Sequence, residues 1–147
     1  MIFKSFFTFV FLFIFVNCPV STKAASTKKI VFLGDSITAG YGVTKEQAYP
    51  HLVGEKLKAQ GFDVTIANVG ISGSTSASLP GRLKWVLRGP VDLLVIGLGG
   101  NDGLRGFPIE TTKKNLDSAI QLAKEKNIKV LLLGMKLPEN YGKEYIS

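Results

Sequence analysis

Cysteine and histidine are almost missing from this sequence, which has one of each among 147 residues, Cys18 and His51. Cys18 lies in an apolar N-terminal stretch, so the rest of the chain offers neither a disulfide nor a thiolate metal site. A lipid-modified cysteine normally follows a small residue, which positions 15–17 (Phe-Val-Asn) do not provide, and we interpret Cys18 as incidental. We expect no metal and no cofactor.

The first 24 residues have the pattern of a secretory signal peptide. Lys4 is followed by an apolar run at residues 6–16, which is too short to span a bilayer, and then by small residues. We predict cleavage after Ala24 or Ala25 and export to the periplasm or the medium; an uncleaved N-terminal anchor is the alternative. Residues 25–147 then form one domain of ordinary size.

Acidic residues are fewer than basic ones. The chain has 11 Asp and Glu and 18 Lys and Arg, which gives a formal net charge of +7. The lysines are scattered and no nucleic-acid-binding motif accompanies them, which indicates a solvated basic surface rather than a nucleic-acid site. From this positive charge we expect at most weak contact with an anionic membrane surface or an anionic substrate.

The order of apolar segments predicts an α/β fold. Short runs rich in β-branched residues alternate with segments of helical periodicity, which favours a parallel sheet with helices on both faces. Right-handed crossovers then place the carboxyl ends of all strands at one edge. The predicted strands are 30–34, 62–69, 91–98 and 128–135, the last two buried on both faces, and the predicted helices are 44–60, a segment ending near 88, and 108–126.

Ser36 is the candidate nucleophile, because it follows the first strand at the sheet edge where α/β proteins bind ligands. The alternative is that Asp35 and Ser36 only cap a turn or helix. The loops after the second and third strands carry Gly73 and Asn101. A hydroxyl, a backbone amide and a carboxamide supply an attacking oxygen and oxyanion donors for acyl transfer. The alternatives are a plain loop glycine and a turn-forming asparagine.

Three of these segments resemble conserved blocks of the SGNH hydrolases, also called GDSL esterases. They are Gly34-Asp35-Ser36, Gly73 within residues 72–75, and Gly99-Gly100-Asn101-Asp102. Residues 103–107 and 137–142 resemble the secreted branch known as acyl-CoA thioesterase I, lysophospholipase L1 or arylesterase. The resemblance covers residues 30–145 and implies a flavodoxin-like three-layer αβα sandwich.

The resemblance also implies a chemistry, namely metal-free hydrolysis of acyl esters, thioesters or lysophospholipids through an acyl-serine intermediate. Ser36 would attack, while its own amide, the Gly73 amide and the Asn101 side chain would hold the oxyanion. Gly34, Asp35 and Asp102 belong to the motifs. We interpret both aspartates as structural, each setting its turn by binding loop amides.

The fourth block of the family, an Asp-x-x-His that supplies the base after a fifth strand, does not occur in this sequence. His51 lies in the first predicted helix and is not expected to replace it. Loss of such a histidine typically costs ~10⁴ to 10⁶ in rate, so we expect impaired activity. We also expect a sheet truncated after its fourth strand, with an exposed edge, in a fragment of a longer hydrolase; a strand from another chain is the less favoured rescue.

Two other functions remain open from the sequence. The missing block favours a catalytically dead relative that acts as a binding or interaction module. A carbohydrate deacetylase of the same superfamily is disfavoured by the loop at residues 101–106.

Overall fold

The computed structural model describes residues 26–136 of the chain. The predicted signal peptide and the loop at 137–142 lie outside the described residues. No helix in this part of the chain is long and apolar enough to cross a membrane.

Four parallel strands in the described part form one sheet in the order β2-β1-β3-β4. Gly34 at the end of β1 is in register with Gly97 at the end of β3, so the segments that follow both strands start side by side. The parallel arrangement predicted from the sequence is confirmed. The strands are β1 (Lys28–Gly34), β2 (Val64–Asn68), β3 (Leu93–Gly97) and β4 (Lys129–Leu132).

Helices follow every strand up to β3, and within residues 26–136 there are five rather than the three predicted. The two that the sequence pattern missed, α1 and α4, have four and five residues, too few to show helical periodicity. The helices are α1 (Ser36–Ala39), α2 (Tyr49–Ala59), α3 (Leu79–Val86), α4 (Gly100–Leu104) and α5 (Ile109–Glu125), and a single 3₁₀ turn (Ser76–Ser78) precedes α3.

Apolar side chains from the two faces of the sheet build two cores. One face packs Leu33, Leu94 and Ile96 against residues of α3 and α5, such as Leu83 and Ala123. The opposite face carries a smaller cluster around Ile30, Phe32 and Val95, and Phe32 meets Tyr49 of α2 edge-on at 5.6 Å between ring centres. These layers confirm the predicted αβα arrangement.

The prediction that the fourth strand is buried on both faces is wrong for the described residues. Leu131 and Leu132 of β4 are 49% and 45% exposed, because β3 is the only strand paired with β4 in the part of the chain that the structure describes. The expectation of an exposed apolar edge is confirmed there.

Candidate active site

The turn after β1 presents Ser36 at the edge of the sheet. Asp35 is buried and caps α1, accepting a hydrogen bond from the Ile37 N–H at 3.0 Å. Ser36 is the first residue of α1 and is half-buried, and Gly40 closes the helix in a left-handed conformation. The interpretation of Asp35 as a cap is therefore confirmed, and the capped turn also fixes the backbone of Ser36.

Position 34 has no room for a side chain, which explains why it is a glycine. Its backbone is not left-handed, but a Cβ atom built there would overlap the hydroxyl of Thr38. That hydroxyl lies 3.0 Å from the Tyr49 hydroxyl, and the Thr38 carbonyl accepts from Asn68 Nδ2 at 2.7 Å. Through Thr38, the turn that carries Ser36 is thus hydrogen-bonded to both α2 and β2.

Arg82 of α3, which was not singled out from the sequence, ties two strand ends together. Its Nη1 donates to the Gly34 carbonyl at 3.0 Å and its Nη2 donates to the Val69 carbonyl. Burial lowers the pKa of Arg82 and the negative charge of Asp35 partly offsets this, while a guanidinium stays protonated at neutral pH. Arg82 therefore fixes the entry to the Ser36 turn relative to the loop that carries Gly73.

Asn101 of α4 joins three loops at one point. Its Nδ2 donates to the Ser74 carbonyl at 3.0 Å and lies 3.4 Å from Oδ2 of Asp35. Ser74 and Asp35 are the sequence neighbours of Gly73 and Ser36, so the structure gathers the three predicted site segments around this one amide.

The loop with Gly73 has an unusual backbone. Gly73 is left-handed, with φ of +77°, and its carbonyl accepts from Arg105 Nη2 at 3.0 Å. Within residues 26–136 its N–H donates to no backbone or side-chain acceptor. Gly73 is exposed and precedes Ser74, whose carbonyl Asn101 binds, so its unused N–H is a suitable donor to an oxyanion. A side chain at position 73 would strain the turn.

Asp102 is buried and binds across to another loop, not to its own. Its carboxylate accepts from the Ser76 N–H at 2.9 Å and from the Ser76 hydroxyl at 2.6 Å. Thr112 donates to the same carboxylate at 3.3 Å, and Asn115 donates to the Ser76 hydroxyl at 2.9 Å. The partner of Asp102 corrects the expectation that it sets its own turn, because its carboxylate binds Ser76 of the loop after β2.

His51 lies exposed on α2, as expected. It lines a cleft of about 520 Å³ together with Ile66 and Asn68 of β2, and between residues 26 and 136 no hydrogen bond joins it to Ser36. No group of three or more His, Cys, Asp or Glu side chains in this same stretch is arranged to hold a metal ion. The site therefore consists of a hydroxyl and hydrogen-bond donors, with no imidazole bonded to them.

Comparison with known proteins adds sequence and structural matches. Residues 32–146 match the GDSL-like lipase/acylhydrolase family. An arylesterase of Vibrio mimicus is 39% identical over 127 residues, which are 86% of this chain and 64% of that protein. Thioesterase 1/protease 1/lysophospholipase L1 of Escherichia coli K12 is 38% identical over 132 residues, covering 84% of this chain and 58% of that one.

Solved structures agree with these matches. AlinE4, described as an SGNH-hydrolase family esterase, has a TM-score of 0.77 to this chain at 35% identity, covering 82% of this chain and 66% of AlinE4. The chain thus spans less than two thirds of the length of the curated relatives it matches, 64% and 58%.

Proposed function

The chain belongs to the GDSL-like lipase/acylhydrolase family, and we propose that it carries the nucleophile and the oxyanion hole of a serine hydrolase for esters and thioesters. The observation that carries this proposal is the Asn101 amide, which contacts both Ser74 and Asp35. It holds the segments of Ser36 and Gly73 at one point on the sheet edge.

In the proposed reaction the Ser36 hydroxyl oxygen bonds to the acyl carbon, and the carbonyl oxygen becomes an oxyanion. The N–H groups of Ser36 and Gly73 and the Asn101 side chain donate to it, each donor being typically worth ~3 kcal/mol. The Asn101 contact with Asp35 is long at 3.4 Å, so this amide keeps a weakly held N–H that is available for the oxyanion. The bond to the leaving alcohol or thiol then breaks, and water hydrolyses the acyl-serine.

The proton of Ser36 needs an acceptor, and the sequence contains no Asp-x-x-His to supply one. The imidazole of His51 projects from α2, outside the group of contacts around Asn101. We therefore propose that this chain hydrolyses esters poorly, with a rate ~10⁴ to 10⁶ below that of a site with its base.

The proposed substrates are acyl esters, thioesters and lysophospholipids. The names of the Vibrio and Escherichia relatives support these classes. The signal-peptide pattern of residues 1–24 supports export to the periplasm or the medium. The formal net charge is +7 for the whole chain and +5 without Lys4 and Lys23 of that segment, and this basic charge supports weak contact with anionic membranes.

Covalent labelling tests the proposal. The 147-residue chain is incubated with an alkyl fluorophosphonate in mildly alkaline buffer, and the modified residue is identified by peptide mass spectrometry. We expect one adduct on Ser36, none in Ser36→Ala, and slower labelling in Asn101→Ala, because the phosphonyl oxygen needs the same donors as the acyl oxyanion. Labelling spread over other serines at equal rates would contradict the proposal and favour the alternative, a catalytically dead binding module.

A further inference from the structure

Trp85 is the chain's only tryptophan, and its side chain is 63% exposed. The helix that carries it, α3, buries Leu79, Leu83 and Val86 in the core. These three positions share one helical face, which leaves Trp85 to the side. The packing of α3 therefore does not account for Trp85, the largest apolar side chain of the helix.

Apolar grooves flank Trp85 on the side of β2. One of about 280 Å³ lies between Val69, Ile71 and Trp85, and Ile71 is itself 55% exposed. A second, of about 360 Å³, shares Val69 and Trp85 and extends to Lys29 and Arg88. Exposed apolar surface thus continues from the loop after β2 along α3 and ends at two cations.

The chain segment that carries Ile71 and Trp85 has basic residues but no acidic ones. No Asp or Glu occurs between positions 64 and 91, whereas Arg82, Lys84 and Arg88 do. Arg82 is engaged with the carbonyls of Gly34 and Val69, but Lys84 and Arg88, one position before and three after Trp85 in the sequence, are exposed. The surface therefore pairs an indole and an aliphatic side chain with exposed cations.

We propose that this Trp85 face, made of Ile71, Trp85, Lys84 and Arg88, docks on the surface of an anionic lipid bilayer. Indole rings prefer the level of the lipid headgroups, where one part of the ring is apolar and the other is wet. Lys84 and Arg88 lie one residue before and three residues after the indole, from where they reach anionic headgroups. An anionic bilayer offers both an interface for the indole and anionic headgroups for the two cations, whereas a purely apolar partner offers no anions.

The docking surface lies beside the Ser36 edge without being part of it. The Ile71 N–H donates to the Gly34 carbonyl at 3.1 Å, so the apolar end of the face is one hydrogen bond from the turn that carries Ser36. The inference rests on the membrane contact given in the proposed function and assigns that contact to one face. It is independent of the proposed catalysis, since binding uses none of Ser36, Gly73 or Asn101.

Trp85 reports directly on this inference, because all tryptophan fluorescence of the chain comes from it. The 147-residue chain is titrated with vesicles of phosphatidylglycerol, of phosphatidylcholine, and of phosphatidylglycerol with brominated tails. We expect a blue shift with phosphatidylglycerol, a much weaker one with phosphatidylcholine, and quenching by the brominated lipid. Ser36→Ala should behave as wild type, which separates this result from the fate of the proposed function.

Charge-matched variants sharpen the test. Lys84→Gln/Arg88→Gln should weaken binding to phosphatidylglycerol about 25-fold, since each cation near such a surface contributes about fivefold. Lys56→Gln/Lys58→Gln on α2, at the opposite face of the sheet, removes equal charge and should change binding less than twofold. Both variants keep residues 1–25, so any contribution from these is common to the pair.

Three results would overturn the inference. They are an unchanged Trp85 spectrum with every lipid, equal losses in the two double variants, or a blue shift that depends on protein concentration without lipid. The last would identify a second copy of the chain as the occupant.

Discussion

The carboxylate of Asp102 accepts two hydrogen bonds from Ser76, one from its N–H at 2.9 Å and one from its hydroxyl at 2.6 Å. Both residues are buried, and they lie 26 positions apart in the sequence. Asp102 is next to Asn101 and Ser76 is three residues after Gly73. This contact therefore fixes the distance between the loops that carry the two proposed oxyanion donors.

Asp102→Asn should destabilise the fold by about 2–3 kcal/mol, since hydrogen bonds to an ionised buried carboxylate are roughly twice as strong as neutral ones. Urea unfolding at neutral pH measures the change. Asp117→Asn, on the exposed side of α5, is the matched control and should shift the free energy of unfolding by less than about 0.5 kcal/mol. Equal effects of the two variants would show that the Asp102 contact contributes no more than a surface charge.

Gly34→Ala should cost about 1–3 kcal/mol, because the added methyl group overlaps the buried Thr38 hydroxyl and forces the turn below Ser36 to move. Gly81→Ala in α3 is the control, since an added Cβ there meets nothing within 4 Å. It should be neutral or stabilising by up to about 1 kcal/mol, as alanine favours the helix. Thermal or urea unfolding of both variants makes the comparison, and an unaffected Gly34→Ala protein would contradict the described packing.

Arg82→Met should slow fluorophosphonate labelling of Ser36 about tenfold to a hundredfold, since the Gly34 carbonyl before the turn would lose its link to the Val69 carbonyl. Arg82→Lys should recover only part of this rate, because a compact ammonium lacks the rigid planar fork with which the guanidinium spans the two carbonyls. The urea midpoint of each variant is recorded in parallel. Labelling of Arg82→Met at the wild-type rate would show that Arg82 has no positioning role.

Asp92 predicts a pH dependence of stability. The Lys29 N–H, at 2.8 Å, and then the Lys28 ammonium, at 2.9 Å, lower the pKa of Asp92 below its usual 3.8. The unfolded chain therefore binds this proton more readily than the folded one. The contribution is complete above 3.8 and is lost as pH falls through the lower folded-state pKa.

The urea midpoint of wild type should accordingly exceed that of Asp92→Asn near neutral pH, and the two should converge in acid. A difference that stays constant down to strongly acidic pH would mean that the contacts of Asp92 do not depend on its charge.

Most strands and the longer helices could be predicted from local patterns of apolar residues in the sequence. The parallel strands were predicted from short apolar runs such as residues 93–97, of which all but the first are buried in the structure. Periodicity located α5 to within one residue at each end, because its buried positions recur over 17 residues. Periodicity missed α1, whose four residues depend on the cap provided by Asp35.

Some residues of the candidate site could likewise be identified from the sequence and others could not. Ser36, Gly73 and Asn101 were identified because motif and strand order place them at one edge, and their catalytic roles stay predictions. Arg82 and Ser76 were missed, since their partners lie 48 and 26 residues away and no periodicity encodes such contacts. Only the tertiary structure reveals which polar side chains hold the loops together.

Hydrolysis of p-nitrophenyl acetate with and without imidazole in solution tests the central claim most directly. The quantity measured is the rate of the 147-residue chain minus that of Ser36→Ala, because imidazole alone also cleaves the ester. We predict a difference near zero in plain buffer, which grows with imidazole concentration as the external base takes the Ser36 proton. No difference at any imidazole concentration, or a robust rate in plain buffer that is lost in His51→Ala, would contradict the account.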